Sequence, residues 1–368
     1  MTSLPDRLRP RLSPPARALA ARIYGLTAHA AWRTMHPATR QRFLEAPRPR
    51  PLPRLYYTAA DGWRAPLLHL TAAAGGAGEP VVLAHALGLS SEAFRYGRGP
   101  TLATRLAAAG FSVYLLAHRG DGSALPPEGA AGFDFDDVLE RDLPAALERV
   151  RAHAGYPAVH WVGHGLGGQL GLAHAARMPD SLATVTAIAA AVRFDAPASG
   201  QRRAALARAL LPSWWHLPAR AAARAVLPWV EGEGGARLRG VLRYAAEDVP
   251  LGLLRQAARW LEAGALVDRT GLLDYRLALA DARAPLHVVT AAGDPVCPPA
   301  HAAAALGRWG GSDRSHTALG EGWGHLDLLV SPAADTAVFQ PVVTWLETRR
   351  RAAWGKIRRR PVLGSPVR

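Results

Sequence analysis

Short apolar runs alternate with amphipathic segments along most of this chain. Apolar runs bounded by Gly, Pro or polar residues predict buried strands, and apolar residues at helical spacing predict helices. Strands that alternate with helices form a largely parallel sheet covered on both faces, so the pattern predicts an α/β fold with its active site beyond the carboxyl ends of the strands. The predicted strands are residues 67–71, 81–86, 112–117, 158–163, 183–192 and 286–291, with a weaker run at 315–319, and the predicted helices lie near residues 102–109, 135–153, 168–177 and 335–349.

The alternation stops in three places. Residues 193–284 are helical in pattern, rich in Trp and Arg, and without strand signals, which predicts a helical cap inserted into the core. The core itself is predicted to comprise residues 55–192 and 285–348. Residues 1–54 form a basic, Pro-rich extension, and residues 349–368 form a basic tail without a folding pattern.

One amphipathic stretch interrupts the N-terminal extension. Leu19, Ile23, Leu26 and Ala30 follow helical spacing and place an apolar stripe on one face. Such stripes most often face a core, so we expect a helix packed on the domain. Weak contact with a membrane surface is the alternative use of the same face.

Composition excludes several classes of protein. The chain has 368 residues, 49% of them hydrophobic, and a net charge of +15 that is carried by scattered arginines, with Lys356 as the single lysine. No nucleic-acid-reading module accompanies this charge, so we expect no nucleic-acid partner. Cys297 is the single cysteine, which excludes an internal disulfide and a multi-cysteine metal site, and we expect no metal or cofactor. No apolar stretch approaches the ~20 residues of a membrane span and no signal-peptide pattern is present, so we expect a soluble cytoplasmic protein.

One glycine occupies a position where the surrounding pattern predicts a serine. An apolar run leads into Gly163-His164-Gly165-Leu166-Gly167-Gly168, and a helical pattern follows. A strand, a sharp turn and a helix in this order form the nucleophile elbow of G-x-S-x-G enzymes, in which the central side chain projects over the sheet. Gly165 takes the central position and offers neither oxygen nor sulfur for attack, while Gly163, His164 and Gly167 complete the predicted elbow.

The acid and the base of a catalytic triad are present in the expected chain order. Asp294 follows the predicted strand 286–291, where a carboxylate that orients a histidine belongs, and His325 lies in a loop after the last predicted strand. His325 Nε2 would accept a proton, while Asp294 would accept a hydrogen bond from Nδ1 and stabilise the imidazolium.

An oxyanion loop is predicted after the strand at residues 81–86. The sequence His85-Ala86-Leu87-Gly88 ends that strand, and the backbone N–H groups of Leu87 and Leu166 would together stabilise an oxyanion. Removal of one triad member leaves only ~10³ to 10⁴-fold acceleration over water. We therefore expect conventional serine-ester hydrolysis to be lost.

These motifs together resemble the α/β-hydrolase superfamily, and most of all its acid-lipase-like and bacterial esterase branch. The resemblance covers roughly residues 57–348 and implies an α/β-hydrolase fold with a helical cap, as well as the roles given above to the acid, the base and the oxyanion amides. The residues that carry it are His85-Ala86-Leu87-Gly88, Arg119-Gly120-Asp121-Gly122-Ser123, Phe135-Asp136-Asp137, Asp142-Leu143-Pro144-Ala145-Ala146, the elbow, Asp294 and His325-Leu326-Asp327.

The chain departs from the family pattern at two positions. Ala86 replaces the usual glycine of the oxyanion loop, which is a mild change because a small residue still fits there. Gly165 replaces the nucleophile, which is a severe change because no residue inherits that role.

Several neighbouring residues offer alternative assignments. Asp195, near the end of the preceding predicted strand, is a second candidate for the acid. Ser90, Ser91 and Cys297 are possible substitute nucleophiles, although they lie on the wrong loops for elbow geometry. His164 is interpreted as a packing residue of the elbow rather than as a second base.

Three functional hypotheses follow. The first is an esterase- or lipase-like protein with a degenerate triad. Its Asp-His pair and oxyanion loop would bind an apolar acyl or aromatic ligand, or support general-base chemistry. The alternative is an active ester hydrolase that uses activated water or another nucleophile. The second is a dinucleotide-binding protein, because Gly163, Gly165 and Gly168 spell G-x-G-x-x-G between a strand and a helix. The third is a membrane-surface protein that uses the N-terminal extension.

Overall fold

The structure is a computed structural model that describes residues 50–73, 75, 78–95, 100–130, 132–195, 216–217 and 244–350. The predicted amphipathic helix, much of the predicted cap and the tail beyond residue 350 lie outside the described residues. The division into extension, core, cap and tail therefore stays a prediction.

Two sheets occur within the described residues. The strands are β1 (Arg54–Thr58), β2 (Arg64–Leu70), β3 (Pro80–Ala84), β4 (Ser112–Leu116), β5 (Val159–His164), β6 (Leu182–Ile188), β7 (His216–Leu217), β8 (Val249–Pro250), β9 (Leu286–Ala291) and β10 (Arg314–Leu319). The main sheet has the order β1-β2-β4-β3-β5-β6-β9-β10, and its strands are parallel except β2, which runs antiparallel to β1 and β4. Strands β7 and β8 form a separate antiparallel pair.

Helices follow most of the parallel strands. The α-helices are α1 (Leu102–Ala108), α2 (Phe135–Asp137), α3 (Leu143–Ala154), α4 (Leu166–Arg177), α5 (Leu251–Ala263), α6 (Tyr275–Ala278), α7 (Pro299–Arg308), α8 (Asp327–Val330) and α9 (Gln340–Glu347). Short 3₁₀ turns cover Ser91–Phe94 and Leu279–Asp281, and π-helical turns cover Val138–Asp142 and Asp335–Phe339. No helix in the described part of the chain is both long and apolar enough to cross a bilayer.

The predicted α/β fold class is confirmed, and the differences lie mainly at element ends. The central strands are buried on both faces, which is why they appear in the sequence as unbroken apolar runs. Strand β1 was not predicted, because it is a mixed polar and aromatic edge strand. Strand β6 ends at Ile188 rather than at residue 192, because Ala189 adopts a left-handed φ of 47° that turns the chain.

The predicted helix over residues 135–153 is instead α2, a π-helical turn and α3 in succession. The extra residue in a π turn shifts the side chains that follow it relative to an unbroken α-helix. The turn places Asp142 where its carboxylate meets a buried arginine, and apolar periodicity alone carries no signal for such a turn.

A buried arginine fixes the loop that follows β4. Arg119 is 1% exposed, and its guanidinium donates to Asp142 at 2.7 and 2.9 Å and to Asp61 at 2.6 and 2.8 Å. The backbone N–H of Arg119 also donates to Asp142 at 3.0 Å. A buried arginine is stable only when its charge is paired and hydrogen-bonded, so these two carboxylates determine the course of the loop.

A second buried carboxylate joins the core to residues of the predicted cap. Asp136 accepts hydrogen bonds from the Tyr275 hydroxyl and from the Gln256 amide, both at 2.9 Å, and from the backbone N–H of Arg269 at 2.5 Å. Gln256 in turn accepts a hydrogen bond from the backbone N–H of Phe135 at 2.9 Å. Helices α5 and α6 are thereby held against the start of α2.

The neighbouring Asp134 has an unusual ionisation. Its carboxylate caps α2 by accepting the N–H groups of Asp136 and Asp137 at 3.0 and 3.2 Å. Burial and the charge of Asp137 raise the pKa of Asp134 from 3.8 to about 6, although Arg269 opposes this shift. A carboxyl group with a raised pKa binds more protons in the folded state, so its contribution to stability falls as the pH rises through this interval.

We therefore expect Asp134→Asn to stabilise the protein at neutral pH. The amide keeps an acceptor for the cap and removes the repulsion, and the free energy of unfolding should rise by about 1 kcal/mol near pH 7.5. The gain should shrink toward zero at about pH 3, where Asp134 is mostly protonated in both states. Urea unfolding at the two pH values measures this difference, and an equal gain at both would contradict the ionisation argument.

Candidate active site

The elbow predicted from the glycines is present between β5 and α4. Gly165 follows β5, adopts φ 52° and ψ −117°, and donates its N–H to the Ile188 carbonyl oxygen at 2.9 Å. This positive φ is a conformation that favours glycine over residues with a side chain. Helix α4 begins at the next residue, Leu166, so its N-terminus lies at the turn.

The acid and base predicted from the sequence meet in the structure. His325 Nδ1 donates a hydrogen bond to Asp294 Oδ2 at 2.7 Å. The other oxygen of Asp294 accepts the backbone N–H groups of Val296 and Cys297 at 2.8 and 2.9 Å. Burial raises the pKa of Asp294, but the hydrogen bonds from His325 and from these amides outweigh burial and hold it below its usual value. Asp294 is therefore an ionised partner that leaves Nε2 of His325 as the reactive nitrogen.

The elbow glycine lies directly below this nitrogen. A Cβ placed on Gly165 with ideal geometry would lie 3.4 Å from His325 Nε2, so a serine hydroxyl at this position would reach the imidazole. The same Cβ would lie 3.0 Å from the Ala86 Cβ, which is closer than side-chain carbons normally approach. The position has the orientation of a nucleophile, and Ala86 crowds it.

The two predicted oxyanion amides belong to the first residue of α4 and to the loop after β3. Leu166 is the first residue of α4, so its N–H has no partner within the helix. Leu87 belongs to the loop after β3, in which Gly88 has a positive φ of 75° and the Leu89 N–H closes a turn onto the Ala86 carbonyl at 3.1 Å. Backbone N–H groups placed in this way are suited to hold a negatively charged oxygen.

Two stacked histidines support the oxyanion loop, and sequence reasoning did not assign them this role. His85 Nδ1 donates to the Ala86 carbonyl at 3.0 Å, and its ring stacks on His118 with centroids 4.3 Å apart. Burial and the neighbouring His118 lower the pKa of His85 to about 3, so it stays neutral. The Asp121 carboxylate lies 3.9 Å from His85 Nε2. Asp121 belongs to the Arg119–Ser123 motif noted in the sequence, and that motif was the one sequence signal that pointed to this cluster.

His164 packs beneath the base, as interpreted from the sequence. It is fully buried, its ring centroid lies 4.4 Å from that of His325, and its Nε2 donates to the His325 carbonyl oxygen at 3.2 Å. Burial and the neighbouring His325 hold the pKa of His164 well below its usual value. A neutral imidazole in this position supports the backbone of the base.

The alternative site residues lie elsewhere or are unsuited to attack. Asp195 pairs with Arg193 at 2.7 Å and with His301 at 3.4 Å, so the carboxylate that reaches His325 is Asp294. Burial and the charge of Asp294 raise the pKa of Cys297 to about 12, which keeps this thiol protonated and a poor nucleophile. The Ser90 hydroxyl is buried and forms no hydrogen bond with the described residues.

The glycines that spell a dinucleotide fingerprint serve a different purpose here. A Cβ on Gly163 would collide with the Gly167 backbone, and a Cβ on Gly168 would lie 2.5 Å from the Ala190 Cβ and 2.9 Å from the Gly163 carbonyl oxygen. The adjoining Gly167 is as tightly packed, because a Cβ there would collide with the Ala84 backbone. These glycines thus allow β5, β3 and α4 to approach closely. Strand β5 also lies in the middle of a hydrolase-type strand order rather than first in a dinucleotide-binding half, which removes the basis for that hypothesis.

The strand order, the elbow after β5 and the Asp-His pair after β9 and β10 define an α/β hydrolase. A family model described as serine aminopeptidase, S33, matches residues 79–328, and the chain belongs to this family. No curated protein matches the chain.

Solved structures of hydrolases share the fold at low sequence identity. A monoacylglycerol lipase from Paleococcus ferrophilus is 18% identical with a TM-score of 0.54, and the match covers 77% of this chain and 99% of the lipase. An enol-lactonase from Burkholderia xenovorans is 19% identical with a TM-score of 0.52, covering 80% and 100% of the two chains. A thermophilic esterase from Thermogutta terrifontis is 19% identical with a TM-score of 0.54, covering 81% and 100%. At this identity the likeness shows the fold alone.

The Asp294–His325 hydrogen bond predicts a measurable change in Asp294→Asn. The asparagine cannot accept the Nδ1 proton with a full charge, so the downfield proton resonance of His325 Nδ1–H should move upfield or disappear. The free energy of unfolding near pH 7 should fall by about 1–3 kcal/mol, because the buried backbone donors lose a charged acceptor.

The contribution of Asp294 to the free energy of unfolding depends on pH with the opposite sign to that of Asp134. Because the pKa of Asp294 is depressed in the folded state, its stabilisation is present at neutral pH and is lost as the pH falls through the folded value. The difference between the parent and Asp294→Asn should therefore narrow under acid conditions. An unchanged Nδ1–H resonance in the variant would contradict the pairing.

Proposed function

We propose that this protein is a hydrolase-family protein that binds its ligand in the active-site pocket and does not form an acyl-enzyme intermediate. The observation that carries the proposal is Gly165, a residue without a side chain at the elbow and directly below His325 Nε2. Acyl-enzyme formation needs an oxygen or sulfur at this point. The apolar acyl or aromatic ligand expected from the sequence remains the proposed ligand class.

The surrounding machinery supports binding. The Asp294–His325 pair is hydrogen-bonded at 2.7 Å, and its support by Val296 and Cys297 does not depend on the residue at position 165. The two oxyanion amides are backbone groups, so loss of a side chain does not remove them. A pocket with a proton acceptor, two N–H donors and no nucleophile binds a carbonyl or carboxyl group without attacking it.

Slow hydrolysis by water is a second candidate function. The volume of the missing serine side chain lies next to His325 Nε2, and a water molecule there is positioned to give its proton to the imidazole while its oxygen attacks the ester carbon. The alcohol then leaves with a proton, and no covalent adduct forms. Any turnover of this kind depends on His325 and is far slower than that of a serine enzyme.

Serine restoration tests the proposal. Hydrolysis of p-nitrophenyl butyrate and octanoate should be near background for the parent protein. It should rise in Gly165→Ser, and rise further in the double variant with Ala86→Gly, because the second change removes the 3.0 Å contact that crowds the new Cβ. We expect the double variant to exceed the parent by at least ~10²-fold, since a missing triad member typically leaves only residual catalysis.

Gly165→Ala is the matched control. It introduces the same Cβ and the same left-handed backbone strain as serine but no hydroxyl, so its turnover should match the parent. Adding His325→Ala to the double variant should abolish the restored activity. High turnover in the parent that is lost in His325→Ala and not increased by serine would contradict the proposal.

A further inference from the structure

The space above Gly165 is bounded by groups that suit a negatively charged oxygen. His325 Nδ1 is already hydrogen-bonded to Asp294, so Nε2 is the nitrogen that faces this space, 3.4 Å from the position of a Cβ on Gly165. The N–H of Leu166 lies at the first turn of α4, which is the positive end of the helix. We assign the second donor to Leu87, because the Cβ of its neighbour Ala86 lies 3.0 Å from the position of a Cβ on Gly165. Together they offer two backbone donors and one titratable donor to a single small group.

We propose that the ligand is a carboxylate anion with an apolar tail, held where a serine enzyme holds its tetrahedral intermediate; this inference rests on the proposed function. In that intermediate the nucleophile oxygen and the oxyanion are bonded to one carbon. The two oxygens of a carboxylate are also bonded to one carbon. One oxygen then accepts a hydrogen bond from His325 Nε2–H, and the other accepts from the Leu87 and Leu166 amides.

The residues Gly165 and Ala86 suit a ligand that is not bonded to the protein better than an acyl group that is bonded to a serine at position 165. A serine Cβ is fixed to the backbone, so Ala86 would have to shift by a few tenths of an ångström to relieve the 3.0 Å contact between the two Cβ atoms. A ligand oxygen has no bond to Gly165 and can lie farther from Ala86 while still reaching His325. The side chains of Ala86 and Leu166 are buried and apolar, so the backbone amides and His325 are the polar partners proposed for the ligand head group.

Binding of the anion is coupled to a proton. The proposed complex contains the imidazolium form of His325, which is paired with Asp294 on one side and with the ligand carboxylate on the other. Two other titratable groups lie near His325. His164 is held neutral beneath the ring, and Asp327 accepts the Gly324 N–H at 2.8 Å.

Isothermal titration calorimetry with octanoate and 1-octanol tests the charge requirement. The two probes have the same tail length and differ in the head group. We expect octanoate to bind at least ~10-fold more tightly, as charge-assisted hydrogen bonds would give. Titrations in two buffers with different ionisation enthalpies should show proton uptake on octanoate binding and none with 1-octanol.

Two variants assign the binding to this site. His325→Ala should lose the proton uptake and weaken octanoate binding by ~10-fold or more, a larger loss than the same variant shows for 1-octanol. Gly165→Ala should weaken octanoate, because its methyl group fills the space next to Nε2. Arg314→Ala is the control for unspecific attraction to a basic protein, since it removes a distant positive charge on β10 and should change neither probe.

The outcomes separate this inference from the function proposed above. Equal binding of octanoate and 1-octanol, or octanoate binding that survives His325→Ala with its proton uptake, would overturn the carboxylate assignment even if the parent hydrolyses no ester. Ester turnover through an acyl-enzyme would overturn the proposed function, whatever octanoate does. If Gly165→Ala does not fold, the proton uptake of the parent and its loss in His325→Ala still decide the question.

Discussion

The close approach of β5 to α4 is the constraint on which the site depends. Both Gly163 and Gly167 lie where a side chain does not fit. A Cβ on Gly163 would collide with the Gly167 backbone, and a Cβ on Gly167 would collide with the Ala84 backbone. A larger residue at either position would push the helix away from the sheet. The Leu166 amide would then leave its place opposite the oxyanion loop, so the arrangement of donors is a consequence of strand-to-helix packing.

This packing explains how an elbow persists without a nucleophile. A serine at φ 52° carries backbone strain of about 1–3 kcal/mol, which a glycine avoids. The base is held separately by Asp294, and the oxyanion loop by Gly88 and the stack of His85 on His118. A glycine at this position therefore avoids that strain and supplies no attacking atom, while the other parts of the site keep their own supports. Proton transfer and anion binding are the chemistry that we propose for these parts.

The parts of the structure that the sequence predicted are those with local signals. The central strands and the elbow appear as apolar runs and glycines, and the positions of Asp294 and His325 follow from the ends of their strands. Features that depend on tertiary contacts left no pattern in the local sequence. The left-handed turn at Ala189, the π turn before α3 and the contact between Ala86 and the elbow all depend on residues far apart in the chain. Ala86 was predicted to be a mild change, and the sequence carried no signal for the 3.0 Å distance between its Cβ and the position of a Cβ on Gly165.

Intact-mass spectrometry during a single turnover tests the central claim most directly. Excess protein is mixed with a p-nitrophenyl ester, quenched in acid at short times, and weighed for the mass of a bound acyl group. We expect no acyl adduct on the parent protein at any time, and a transient adduct at position 165 of the Gly165→Ser/Ala86→Gly variant. A transient acyl adduct on the parent, mapped by peptide analysis to any hydroxyl or thiol of this pocket, would contradict it.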